Sequence, residues 1–260
     1  MNLNTETKNR IQSLERGLEL LILLSHYDSA VSLEQISKRI KFSKPTCFRL
    51  LQTMKRMNFV QQDPETKHYR IGPRNIAIGM AALNGQNVRS VALPYMRRIR
   101  SQTGETVNLT ILDGNEIVFV ERIEGKYIVN ANLCVGSRLP VHCSSMGKAI
   151  LAHLPDKKLS SVLETLDFRR FTENTIASRE SFIQELATIR EKGTSINNEE
   201  LEKGLFAVAA PILDYSGEAV AALNVSFPLA RHRIQDALDD FVPIIKETCM
   251  EISGLLGFKV

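Results

Sequence analysis

The stretch "FSKPTCFRLLQTMKRMNFV", Phe42 to Val60, carries two kinds of residue on two sides of one helix. At 100° per residue, Cys47, Leu50, Leu51 and Met54 form an apolar stripe at i, i+3, i+4 and i+7, and Arg49, Gln52 and Arg56 cluster almost opposite it. The pattern predicts a helix packed on one side only. Ser43 is placed to cap its start, and Pro45 falls in the first turn, where its missing N–H has no intrahelical partner to lose. An ordinary surface helix with a solvated basic face shows the same pattern, so the flanking sequence decides.

Upstream, Ile11, Leu14, Leu18, Leu21 and Ile22 repeat at helical spacing. "SLEQISKRI" begins with Ser32 and Gln35 placed as a capping box, and Leu33, Ile36 and Ile40 continue the helical period. Only Lys41, Phe42 and Ser43 separate this second helix from the third. Two short helices joined by so tight a turn form a helix-turn-helix, whose second helix enters the DNA major groove. Downstream, "FVQQDPETKHYRIG" alternates on both sides of Asp63-Pro64-Glu65-Thr66, which predicts a hairpin. Helix, helix-turn-helix and hairpin in that order make a winged helix-turn-helix, mostly α with a β-wing.

Charge points the same way. Residues 1–75 carry 13 Lys and Arg against 7 Asp and Glu, net +6, whereas the remainder carries 20 against 22, net −2. A positive head is drawn to a polyanion because each neutralised phosphate releases counterions. Arg49 can offer a planar fork to a guanine edge, and Lys44, Arg56 and the wing residues Lys67, His68 and Arg70 can reach phosphates.

At 260 residues, 43% hydrophobic and 24% charged, the chain has room for two domains and the composition of a water-soluble protein. No apolar run is long enough for a bilayer, and the start "MNLNTETKNR" has no secretory apolar core, so a cytoplasmic protein without a membrane partner is expected. Cys47, Cys134, Cys143 and Cys249 form no CxxC pair, which indicates neither a disulfide framework nor a zinc ribbon. The expected organisation is a DNA-binding domain over 9–72, a linker helix within 73–87 and a second domain over 88–260. The linker helix reads from about Arg74 to Leu83 with Ile76, Met80 and Leu83 in phase. The second domain opens with a helix to about Gln102, then strand-like "TVNLTIL", "EIVFVERI" and "YIVNANL". Three helical segments follow between Ser145 and Lys192, then a hairpin turning at Tyr215-Ser216-Gly217, then a helix from about Arg233 to Leu256. This is an α+β domain.

The phrases "SLERGLELL" and "FRLLQTMKRMNFV" in the head, with "LPVHCSSMGKAILA" and "NNEELEKGLFAVAAPILDYSGEAVAALNVS" in the tail, resemble the isocitrate-lyase-regulator (IclR) family of bacterial transcription factors. The resemblance covers nearly the whole chain. It implies a winged-helix head, a linker helix and a GAF-like domain that binds a small carboxylic or aromatic effector, in a protein that works as a dimer or tetramer on operator DNA. DNA recognition would then use Lys44, Thr46, Arg49, Gln52 and Arg56, with Ser13, Arg16, His68 and Arg70 positioning the backbone. Carried over position by position, the effector contacts fall on the backbone of Ser145 and Met146 and on Asn198, Ala207, Asn224 and Ser226. Where the founding regulator has an aspartate, a cysteine and a serine, this chain has Asn198, Ala207 and Asn224. "HCSSMGK", "NNEEL" and "AALNVS" instead resemble the branch that regulates protocatechuate and p-hydroxybenzoate breakdown, which implies an aromatic acid or a β-ketoadipate-like dicarboxylate. A keto-acid or sugar-acid effector is the other reading.

The residues themselves leave room for both outcomes. A loop enters a helix near Ser145, whose free N–H groups suit a carboxylate but also describe an ordinary cap. Ala207, Ala209, Ala210, Ala219, Ala221 and Ala222 fit either a pocket or a crowded sheet–helix contact. Gly147-Lys148 is no phosphate loop, because the earlier glycine and the final hydroxyl are missing. His142 beside Cys143 could suggest an enzyme or a redox sensor, but adjacent residues on an extended segment face apart, and further zinc ligands are not offered. No catalysis, metal or cofactor is expected.

Overall fold

The computed structural model describes residues 10–85, 87–126 and 133–259. The chain divides into two compact units, one ending at Gly85 and the other beginning at Gln86. The strand expected from "YIVNANL" lies outside the described residues, apart from Leu133.

In the first unit, α1 (Gln12–Ser25), α2 (Leu33–Ile40) and α3 (Lys44–Arg56) precede a two-stranded antiparallel wing, β1 (Val60–Gln62) and β2 (Tyr69–Ile71), and α4 (Arg74–Asn84). The capping box forms at α2: the Gln35 N–H donates to Ser32 Oγ at 3.3 Å, and the Ser32 N–H donates to Gln35 Oε1 at 2.9 Å. Lys41 ends α2 at φ 60°, in the left-handed region, which turns the chain sharply enough for Ser43 to cap α3 two residues later. At the wing tip, Asp63 Oδ1 accepts from the N–H groups of Thr66 and Glu65 at 2.7 and 3.0 Å and from the Thr66 hydroxyl at 3.0 Å. Those bonds hold the Asp63 carboxyl below its ordinary range.

The core of this unit is Leu20, Leu24, Val31, Ile36, Cys47, Leu51, Val60 and Tyr69. One expectation changes here. Ile11, Leu14, Leu18 and Ile22, four of the five apolar residues that mark the first helix in the sequence, are each more than half exposed. The helix is apolar around most of its circumference, and the side that packs is the one with Gly17, where a Cβ would already touch Met54 Cε at 3.4 Å. Close approach at a small residue selects the buried face over the most hydrophobic one.

The second unit holds α5 (Asn87–Thr103), β3 (Thr106–Asp113), β4 (Glu116–Ile123), β5 (Arg138–Pro140), α6 (Ser145–Leu151), α7 (Asp156–Thr165), α8 (Arg179–Lys192), β6 (Ser195–Asn198), β7 (Leu205–Leu213), β8 (Ala219–Pro228) and α9 (Ile234–Leu255). The strands form one antiparallel sheet in the order β5-β4-β3-β8-β7-β6. Period-two alternation sorts its residues. Phe206 pairs with Phe227, whose ring meets Phe241 of α9 at 5.3 Å between centroids, whereas Ala209 and Ala222 lie in the core shared with Met146, Ala149 and Ile150 of α6. Alanines on that face let α6 sit close to the sheet, so most of the alanine pattern serves a crowded contact.

All seven residues of α6 are buried. Its cap is Ser144, whose Oγ accepts from the Gly147 N–H at 3.5 Å, and the burial of Ser145, Met146 and Gly147 places the helix start in the interior. A Cβ on Gly147 would lie 2.4 Å from the Val141 carbonyl oxygen, a backbone atom with no freedom to swing away. Gly147→Ala is therefore expected to overpack this contact and lower stability by about 1–3 kcal/mol, read as a lower urea midpoint with an unchanged slope.

Candidate functional site

The first unit presents α3 with its apolar residues turned inward. Cys47 and Leu51 are fully buried, Leu50 and Met54 pack against them, and Lys44, Arg49 and Arg56 are exposed. Other expected DNA contacts have partners within the unit. The Thr46 hydroxyl lies 2.8 Å from Ser43 Oγ, and Gln52 is half-buried with its side chain hydrogen-bonded to the Tyr69 hydroxyl. The Arg16 guanidinium sits 5.3 Å from the centre of the Phe42 ring, so it stacks on the turn between α2 and α3. Lys44 Nζ lies 3.9 Å from Glu34. Ser13 is exposed near the start of α1, and in the wing His68 is half-buried while Arg70 is exposed and donates to Gln61 Oε1 at 3.1 Å. Arg49 and Arg56 are thus the barest cations on the helix.

In the second unit a small cavity, about 40 Å³, lies between the sheet and the start of α6. One wall is a polar row running across three strands. Arg122 on β4 stands opposite Asn108 on β3, which stands opposite Asn224 on β8. Arg122 Nη1 donates to Asn108 Oδ1 at 2.8 Å, and Asn108 Nδ2 donates to Asn224 Oδ1 at 2.8 Å and to Ser226 Oγ at 3.3 Å. The Arg122 side chain is 6% exposed, and burial lowers its pKa against the opposing pull of Glu124. Arg122 Nε also lies 3.9 Å from Glu124 Oε1, so the guanidinium is paired while it brings donors to the polar side of the cavity. The rest of the lining is largely apolar: Phe119 and Leu205 lie on the same face of the sheet as the polar row, Leu139 is on β5, and Leu133, Met146 and Leu201 complete it.

Among the expected effector residues, Ser145, Met146, Ala207, Asn224 and Ser226 all line this cavity. Ser145 Oγ is buried with no hydrogen-bond partner among the described residues, and Met146 Sδ accepts from the Thr110 hydroxyl at 3.5 Å. Asn198 does not reach it. Strand alternation turns Asn198 to the exposed side and places Asn197 in the lining, where its Nδ2 donates to the Cys143 carbonyl at 2.6 Å and its Oδ1 accepts from the Glu200 N–H at 3.1 Å. Sequence reasoning also missed Arg122 and Asn108. Their only signal was an Asn and an Arg inside two strands that carry other polar residues as well, and the register that joins them is a property of the folded sheet.

His142 and Cys143 do not form a catalytic pair. His142 Nε2 lies 2.9 Å from the Arg169 carbonyl, whereas Cys143 Sγ points to the Pro140 carbonyl at 3.8 Å. Burial, with help from the Glu200 charge, pushes the Cys143 thiol up to about 12, so it is a poor nucleophile and a poor redox sensor. Among the described residues no group of three His, Cys, Asp or Glu side chains could hold a metal, and no helix is long and apolar enough to cross a membrane.

A helix-turn-helix unit followed by an α+β unit with a small cavity of mixed lining fits a DNA-binding regulator class. Residues 13–64 match the IclR helix-turn-helix domain, and residues 80–254 match the C-terminal domain of bacterial transcriptional regulators of the IclR type. The chain is 34% identical to the HTH-type transcriptional regulator XynR of Escherichia coli K12, over 95% of this chain and 98% of that one. It is 35% identical to the transcriptional repressor AllR of the same organism, over 95% and 91%. A crystal structure of an IclR homologue from Microbacterium hydrocarbonoxydans complexed with 4-hydroxybenzoate is 27% identical, covers 94% of this chain and 98% of its own, and superposes with a TM-score of 0.78. The chain belongs to the IclR family and is a DNA-binding transcriptional regulator. The relatives named are regulators of transcription.

Arg49→Ala is expected to remove sequence-specific operator binding, costing on the order of 1–3 kcal/mol of discrimination per half-site, while leaving the melting temperature nearly unchanged because the side chain is exposed. Gel-shift titration against specific and scrambled duplexes measures it; equal operator affinity in variant and wild type would exclude Arg49 as a base reader.

Proposed function

We propose that the cavity of the second unit binds a small carboxylate effector, and that its binding changes how the protein acts at the operator of a catabolic operon in the cytoplasm. The observation that carries this reading is the polar row Arg122–Asn108–Asn224–Ser226 set in an otherwise largely apolar lining. A carboxylate fits the guanidinium and amide side, and an apolar or aromatic body fits the leucines and Phe119. Backbone N–H groups at Ser145 and Met146 lie at the same cavity and add donors. The relative solved with 4-hydroxybenzoate supports an aromatic acid. The size of the cavity, about 40 Å³, favours a small keto acid, because an aromatic ring or a six-carbon sugar acid requires the walls to part. The domain limits 9–72, 73–87 and 88–260 go with this division of labour.

Titration calorimetry with 4-hydroxybenzoate, pyruvate and a sugar acid separates the readings. Whichever acid binds, Arg122→Gln is expected to weaken it about 10- to 100-fold, the worth of one charged hydrogen bond, and Ala207→Leu to weaken it by filling space while DNA affinity is kept. Wild-type affinity in both variants would place the effector elsewhere.

We further propose that the protein acts as a homo-dimer or tetramer on a roughly palindromic operator. One helix-turn-helix reads too few base pairs for genomic specificity. α4 carries Ile76, Ile78 and Met80 exposed, and α1 with its N-cap Ile11 carries Leu14, Leu18 and Ile22 exposed, more apolar surface than a lone unit needs. Ile76→Glu together with Met80→Glu is expected to shift sedimentation toward smaller species and to lose operator protection. A wild-type monomer that protects its operator would refute this.

A further inference from the structure

The outward side of α3 is not uniformly polar. Phe48, the fifth residue of that helix, is 46% exposed and takes no part in the apolar core of its unit, whose α3 members are Cys47, Leu50, Leu51 and Met54. A single exposed apolar residue is ordinary on a protein surface, so exposure alone says nothing. Position gives it meaning. Phe48 precedes Arg49, stands one turn after Lys44, and shares the exposed side of the helix with Arg56. In a helix-turn-helix the first turns of the second helix meet base edges, and cations flanking an apolar ring match a polyanion as its partner.

The major groove offers one apolar feature, the 5-methyl group of thymine. We propose that Phe48 contacts a thymine methyl beside the base read by Arg49, which makes thymine the preferred letter at that position of each operator half-site. This rests on the reading of α3 as the recognition helix. The geometry is restrictive: Cys47 and Leu51 are fixed in the core, so Phe48 cannot withdraw into the apolar cluster without rotating the whole helix. Arg49 alone would specify a guanine edge; the ring adds a second base type at the neighbouring step without a hydrogen bond.

The test uses the full-length protein. A binding sequence is selected from random duplexes, each thymine is replaced in both half-sites by 2′-deoxyuridine, which lacks only the methyl, and affinity is measured by fluorescence anisotropy at fixed salt. The wild type is expected to lose about fourfold per half-site at one thymine, the worth of one buried methyl-sized group. Phe48→Ala is expected to bind the thymine operator more weakly by a similar factor and to bind thymine and deoxyuridine operators equally. Its melting temperature and salt dependence stay those of the wild type. Tolerance of deoxyuridine at every position, or wild-type discrimination retained by Phe48→Ala, would overturn the proposal. A Phe48→Ala protein that sediments as a smaller species would also overturn it, assigning the ring to self-association. Arg49→Ala binding the selected operator as well as wild type would overturn the reading of α3 itself.

Discussion

Lys148 is wholly buried inside the second unit, and the architecture around the cavity depends on how its amino group is met. Its Nζ lies 2.5 Å from Glu200 Oε1 and 3.3 Å from Glu185 Oε1. Burial raises the Glu200 pKa, and the Lys148 charge opposes that rise. Leaving either group alone would strand a charge in the interior, at a cost of about 3–5 kcal/mol, so α6 and the segment after β6 are held as a pair. Asn197 extends the connection, bonding the Glu200 N–H and the Cys143 carbonyl. The start of α6, the turn before it and the end of β6 thereby become one hydrogen-bonded block, and the cavity lies along its edge. Gly147 completes the constraint by letting the Val141 backbone touch the helix.

The first unit solves a different problem, which is to hold one helix by a single face. Left-handed Lys41 and the Ser43 cap fix where α3 begins, the Arg16 guanidinium braces the turn through Phe42, and Cys47 and Leu51 fix its rotation. Exposed cations are then presented by a rigid element, which is the condition for reading a base edge instead of merely attracting phosphate. The half-buried Gln52 and the engaged Thr46 show that part of what looks like a recognition surface in sequence maintains the helix that carries it.

The helical order, the wing, the hairpin of β7 and β8 and the family were legible because each depends on local periodicity, caps and turn residues. What was not legible depends on packing choices between near-equal alternatives. α1 is apolar on most sides, and Gly17 decides which side is buried. In "NNEE" two consecutive asparagines differ only by strand phase, and Asn197 is the one turned to the cavity. Arg122 and Asn108 become neighbours through the pairing of β3 with β4, a register that no single strand encodes. The polar row that carries the effector reading is therefore a product of the sheet.

The central claim is that occupancy of the cavity and affinity for the operator are linked. Binding linkage is reciprocal, so an acid that changes operator affinity must have its own affinity changed by the same factor when the operator is bound. The direct measurement is fluorescence anisotropy of a labelled operator across a full titration of the acid found by calorimetry, paired with calorimetry of that acid on the preformed protein–operator complex. The account predicts a change of several-fold in both affinities, equal in size and saturating together. An acid that fills the cavity while operator affinity stays constant through saturation would contradict it.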